Sequence, residues 1–215
     1  MAEIVPTILT NDAEQYKKLI TAFQPFARRV QIDVSDGTFA PSTTLPLNQL
    51  YWPKEWQTDF HMMVVRPSEH LPLILQLKPS LVIFHAEAGE DLLPLFQQLK
   101  AAGIKAGVAL MRSTFPGSVK QYIEAADHVL VFAGEIGKQG SQADMLQAEK
   151  IPLIKAINPN AEIGWDGGAN LRNVRAIHRA GADVINVGSA LTNASDPSAM
   201  YEALVADLDK RGVVL

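Results

Sequence analysis

The 215-residue sequence contains no cysteine. That excludes disulfides, thiolate metal ligands and cysteine nucleophiles together, and it fits a reducing compartment. Long apolar runs are also missing. No stretch approaches the roughly 20 residues of a membrane helix, and the opening MAEIVPTIL has no basic residue ahead of its apolar run and carries Glu3. We read no signal peptide and no membrane partner, and expect a cytoplasmic protein. Clustered positive charge is lacking as well. The 19 Lys and Arg are outnumbered by 23 Asp and Glu, for a formal net charge of -4. Without a basic stripe, nucleic acid is not an expected partner. No linker or low-complexity segment breaks the chain, so 1–215 reads as one domain.

What is present is a regular alternation. The β-rich runs are IVPTIL (4–9), RVQIDVSD (29–36), TDFHMMVV (58–65), LVIFHAEA (81–88), KAGVALM (105–111), HVLVFA (128–133), EIGWDGG (162–168) and VINVGSA (184–190). Helical patterns follow over 13–23, 46–52, 69–77, 90–102, 117–125, 143–157, 170–181 and 197–210. Thr10, Asn11 and Asp12 offer caps for the first of them. Strands alternating with helices imply βαβ units and a parallel sheet. Eight such units in this length predict an α/β fold of the (β/α)8 TIM-barrel type, with an open doubly wound sheet as the competing fold.

In such a barrel, chemistry gathers at the C-terminal ends of the strands. Asp33, His61, His85, Glu87 and Asp166 all stand late in their strands. In VQIDVSDG, strand alternation puts Gln31, Asp33 and Ser35 on one face and Ile32 and Val34 on the other. His61 shares its face with Asp59 and Met63. Taken singly, a strand-end His reads as a hydrogen-bonded structural residue as readily as a ligand, and Asp before Gly as a turn former. Asp36, before Gly37, takes the turn reading. Several such groups converging from separate strands form a donor set suited to a divalent cation.

A second signal points to phosphate. Asp166-Gly167-Gly168 precedes a helix, Gly188-Ser189 follows the last strand, and the loop GEIGKQG (134–140) is glycine-rich and carries Lys138. Loops after strands seven and eight are the usual phosphate site of these barrels. Together these loops predict a phosphorylated small substrate.

The stretches VPTIL, VQIDVSDGTFAP, DFHMMVVRP, VIFHAEA, GVAL, GEIG with GKQG, WDGGANLRNV and GADVINVGSAL resemble, in order and spacing, the ribulose-phosphate 3-epimerase family. The resemblance implies a (β/α)8 barrel that inverts one sugar carbon by moving a proton, converting D-ribulose 5-phosphate to D-xylulose 5-phosphate. By position it implies Asp33 and Asp166 as the two acids, with Gln31, Asp33, His61 and Asp166 around a divalent metal cation. It also implies substrate contacts from Thr7 and His61. Phosphate contacts would come from Gly137, Lys138 and Gly140 in the loop and from Gly167, Gly168, Gly188 and Ser189 in the grip. A homo-oligomer is expected on the same ground.

The sequence departs from the family pattern at several points. Gln31 stands where the family has His, Ser35 and Phe132 where it has Met, and Met111 and Arg112 near where Pro and Asn are common. The loop IGKQGSQ replaces PGFGGQ. Gln is a poor ligand for Zn²⁺ but serves a harder cation. Three readings therefore stay open: an epimerase of ribulose 5-phosphate, an epimerase of another ketose phosphate such as a ketohexose 6-phosphate, or a sugar-phosphate-binding barrel with impaired chemistry. The Asp-x-Lys-x-x-Asp signature of related decarboxylase and aldolase barrels is missing from DVSDG.

Overall fold

The computed structural model describes residues 2–208. Its strands are β1 (Glu3–Ile8), β2 (Arg29–Ser35), β3 (Gln57–Met63), β4 (Leu81–His85), β5 (Lys105–Leu110), β6 (His128–Phe132), β7 (Glu162–Asp166) and β8 (Val184–Val187). All neighbours pair in parallel, and β8 returns to β1, closing the barrel. The open-sheet alternative is thereby excluded.

The helices are α1 (Ala13–Phe23), α2 (Pro67–Leu77), α3 (Leu93–Ala101), α4 (Lys120–Ala125), α5 (Lys150–Ile157), α6 (Val174–Arg179), α7 (Ser189–Thr192) and α8 (Pro197–Leu208). Asp12 caps α1 as expected, accepting from the N–H groups of Glu14 and Gln15. Several expected helices are shorter. Residues 46–52 form only a 3₁₀ turn (Leu47–Gln49), and the segments before α4 and α5 begin as 3₁₀ turns. The helix expected from residue 170 starts at Val174, because the Asn170 and Asn173 side chains both donate to Gly168 O and hold 170–173 as a turn. The short α7, which strand–helix alternation does not announce, follows β8 directly. The expected end of the last helix, 209–210, lies outside the described residues.

The core has two parts. The larger lies between strands and helices and includes Phe60, Phe84, Trp165 and Ile177. The smaller, Leu81, Ile83, Ala109 and Leu130, fills the barrel interior. Alternation along β4 explains the division: Leu81, Ile83 and His85 face inward, while Val82 and Phe84 face the helices.

The N-terminal end of the barrel is closed by charge. Arg29 donates to Asp59 Oδ2 at 2.7 Å and forks onto Glu162 at 3.0 and 2.8 Å, and His128 Nδ1 lies 2.8 Å from Glu162 Oε2. A buried guanidinium requires this pairing. Asp59, on the same face as His61, is thus drawn into a structural network at the far end from the candidate site.

Candidate active site

Strand register builds the site. β2 and β3 run in step over seven pairs, which sets Asp33 beside His61. Closure brings β7 round so that Asp166 pairs with Phe132 on one side and Asn186 on the other. Asp33, His61 and Asp166 each offer a ligand atom within 4.8 Å of the others. His61 Nδ1 lies 3.0 Å from Asp33 Oδ1 and 3.5 Å from Asp166 Oδ2.

Gln31 lies beneath this group, wholly buried and outside the cleft lining. Its Nε2 donates to Asp33 Oδ1 at 2.9 Å and to Asp166 Oδ2 at 2.6 Å. Its Oε1 has no hydrogen-bond partner among the described residues. The amide therefore shows nitrogen, not oxygen, to the two carboxylates. To serve as a metal ligand it must turn over.

The electrostatics follow from crowding. Burial pushes the Asp166 carboxyl up to about 6, the nearby charge of Asp33 adds to this, and His61 and the Gln31 hydrogen bond only partly oppose it. For His61, burial disfavours the charged ring. The hydrogen bond and charge of Asp33, with the charge of Asp166, outweigh it and hold the imidazole above its ordinary value. Two carboxylates and one imidazole within reach of one another fit a divalent cation.

Above the acids is a cleft. Thr7, Asp33, His61, Gly137, Lys138, Gly140, Asp166, Gly167, Gly168, Gly188 and Ser189 all line it. Of the residues singled out above, Gln31, His85 and Glu87 do not line it. Gly167 and Gly168 have φ of +110° and +70°. A Cβ on them would come within 2.1 Å of Gly134 N and 2.2 Å of Ala143 N, so only glycine lets the β6 loop close onto the β7 loop. Lys138 pairs with Glu135 in that loop.

Other departures from the family pattern are placed too. Phe132 lines the cleft and lies 5.9 Å from the His61 ring. Ser35 does not line it and donates to Ser42 O in its own loop. Arg112 also turns away, to Asp144 at 3.3 Å. The cleft further includes Leu9, Met63, Gln139 and Asn186, which sequence reading did not single out. For Asn186 a signal existed: it is the polar residue in the otherwise apolar β8 run VINV. Asn186 Oδ1 and Thr7 Oγ1 are buried without hydrogen-bond partners among the described residues.

A closed (β/α)8 barrel with acids at the C-terminal strand ends and a glycine-lined rim after β7 and β8 has the layout of a barrel enzyme. Residues 3–192 match the model of the ribulose-phosphate 3 epimerase family, and the chain belongs to that family of isomerases. It is 28% identical to ribulose-phosphate 3-epimerase of Schizosaccharomyces pombe over 94% of this chain and 92% of that protein. It is 29% identical to the enzyme of the same name from Helicobacter pylori strain J99, over 94% and 96%. Among solved structures, 3-hexulose-6-phosphate synthase from Salmonella typhimurium superposes with a TM-score of 0.74 at 17% identity, covering 96% of this chain and 98% of that one. KGPDC from Streptococcus mutans superposes at 0.69 with 8% identity, over 97% of each chain. These two likenesses are of fold alone.

Proposed function

We propose that the protein is a cytoplasmic ribulose-phosphate 3-epimerase that inverts C3 of D-ribulose 5-phosphate by a two-base mechanism with a divalent metal. The observation that carries this reading is the pairing of Asp33 and Asp166 around His61 at the base of a glycine-rimmed cleft. The names of the relatives support the substrate, and a rice relative is named as a cytoplasmic isoform.

Inversion needs an acid and a base on opposite faces of a planar intermediate. One carboxylate takes the C3 proton, and the C–H electron pair moves toward the C2 carbonyl oxygen to give a 2,3-enediolate. The other carboxyl returns a proton to C3 from the opposite face, and the carbonyl re-forms. The roles reverse in the other direction. The raised pKa of Asp166 suits a group that both holds and releases a proton near neutrality. Asp33, His61 and Asp166 would hold the cation, which supplies positive charge against the developing oxyanion. Gln31 steadies both carboxylates from below. Thr7 and Asn186 orient the sugar, and Gly167, Gly168, Gly188, Ser189 and the 137–140 loop with Lys138 receive the phosphate.

The test is hydrogen exchange at C3, read by NMR in deuterated buffer with Mg²⁺, Mn²⁺, Co²⁺, Fe²⁺ or Zn²⁺ supplied. D-ribulose 5-phosphate is expected to exchange and to yield D-xylulose 5-phosphate. Exchange confined to ketohexose 6-phosphates would reassign the substrate. Phosphate-ligand binding without exchange on any ketose phosphate would mark a binding protein and end the epimerase reading.

A further inference from the structure

Two polar residues of the β4 segment, His85 and Glu87, have no part in the chemistry above. β4 ends at His85, and Glu87 lies in the turn that follows. His85 is fully buried, and its Nε2 is 2.8 Å from Nε2 of His61. Its Nδ1 faces Glu87 Oε2 at 3.4 Å, an ion-pair distance, and neither of those two atoms makes a hydrogen bond among the described residues. The other carboxylate oxygen, Oε1, accepts from the Met111 N–H at 3.0 Å and from the Thr114 hydroxyl. The rings of Phe39 and Phe132, with centroids 4.7 and 5.8 Å away, box the His85 imidazole in place.

Hydrogen counting gives this chain one direction. A carboxylate oxygen only accepts, so with Glu87 Oε2 facing His85 Nδ1 at 3.4 Å the ring proton is favoured on Nδ1. A neutral imidazole has one N–H, which leaves His85 Nε2 as an acceptor. The 2.8 Å N···N contact holds one proton, and that proton belongs to His61 Nε2. His61 Nδ1, the nitrogen that faces Asp33 and Asp166, can then exchange its proton for a metal ion with no change elsewhere in the chain.

We propose that Glu87 and His85 are positioning residues that set the tautomer of His61 and present its Nδ1 to a divalent cation. The inference rests on the metal-assisted reading of the site. Glu87→Gln tests it sharply. The Met111 N–H can only donate, so an oxygen stays opposite it and the new amide nitrogen faces His85. The chain then runs backwards. His85 carries its proton on Nε2, His61 Nε2 must accept, and the His61 proton moves to Nδ1, against the cation.

The experiment compares the chelator-stripped parent and Glu87→Gln by ¹H–¹⁵N NMR of the ring nitrogens, with His85 assigned by the signals lost in His85→Asn. Co²⁺ binding is measured on the same samples by calorimetry. The expected result is His85 protonated on Nδ1 in the parent and on Nε2 in the variant, with Co²⁺ binding about 10- to 100-fold weaker in the variant. Thr114→Ala, which removes a donor to Glu87 but keeps the carboxylate, is expected to retain the parent tautomer. An unchanged His85 tautomer in folded Glu87→Gln overturns the inference. So does a changed tautomer with unchanged Co²⁺ affinity. A parent that binds no Co²⁺ overturns instead the metal reading beneath it. The two failures are distinct, because the tautomer is read without metal.

Discussion

The Gln31 amide nitrogen joins Asp166 at 2.6 Å and Asp33 at 2.9 Å, so one neutral side chain cross-braces the two acids from opposite parts of the barrel. The brace and a metal ligand need opposite faces of the same amide. Gln31→His removes the brace and offers a ring nitrogen. Metal affinity is expected to rise by tenfold or more, read as bound metal after dialysis against Mn²⁺ or Zn²⁺. Equal metal content in variant and parent would clear Gln31 of weakening the site. Gln31→Leu leaves both carboxylates without their shared donor. Metal-free, it is expected to lose about 1–3 kcal/mol of stability, measured by urea unfolding.

The two acids are distinguished by isotope. With one base removed, proton transfer at C3 survives on one face only. Asp33→Asn and Asp166→Asn are each expected to lower epimerisation by about 10²–10⁴-fold or more. Each should still exchange the C3 hydrogen of one epimer, and the two variants should favour opposite epimers. Loss of exchange from the same epimer in both variants would break the two-base assignment.

The proposed phosphate end rests on backbone approach. Gly168→Ala would place a Cβ 2.2 Å from Ala143 N at a residue with φ of +70°. Strain at such a position costs about 1–3 kcal/mol. The expected outcome is a lower melting temperature and weaker binding of inorganic phosphate. A variant with parent-like phosphate affinity would show that the grip lies elsewhere on the rim.

Acid stability is expected to depend on Glu162, at the other end of the barrel. Burial opposes its charge, but hydrogen bonds from His128 and Arg29 hold its carboxyl well below the ordinary glutamate range. A depressed folded pKa means stability that is present above the unfolded value and lost as pH falls through and below it. The parent should therefore lose stability below about pH 4.5, the ordinary value for this group. Glu162→Gln should be less stable than the parent at neutral pH, with the gap closing on acidification. The comparison isolates Glu162 from Asp59, whose carboxyl burial pushes up against the pull of Arg29. Urea midpoints of both proteins from well below pH 4.5 up to neutral pH check this. A gap that stays constant across that range would refute it.

Much of the architecture was legible because periodicity is local. Eight β-rich runs alternating with helices imply the barrel, and the inward phase of β2 and β3 places Asp33 and His61 on one face. Asp36 read as a turn former, and its Oδ1 does accept from Thr38 and Phe39 N–H. Its Oδ2 also accepts from Val65 N–H, tying the β2 loop to the β3 loop, a contact that no local rule announces. Glu87 read as a strand-end group, whereas the strand stops at His85 and the carboxylate reaches the β5 loop instead.

By itself, then, the sequence determined the α/β alternation, the strand ends that carry acid and imidazole, and the glycines at the cleft rim. Each of these depends on spacing along the chain. Only the tertiary structure decided how the groups are paired. Arg29 claims Asp59, so of the inward acids Asp33 and Asp166 are left to the cleft. Gln31 shows its nitrogen rather than its oxygen to carboxylates on its own strand and on one 135 residues away. An amide can present either face, and the choice is made by neighbours that only barrel closure brings within hydrogen-bond reach.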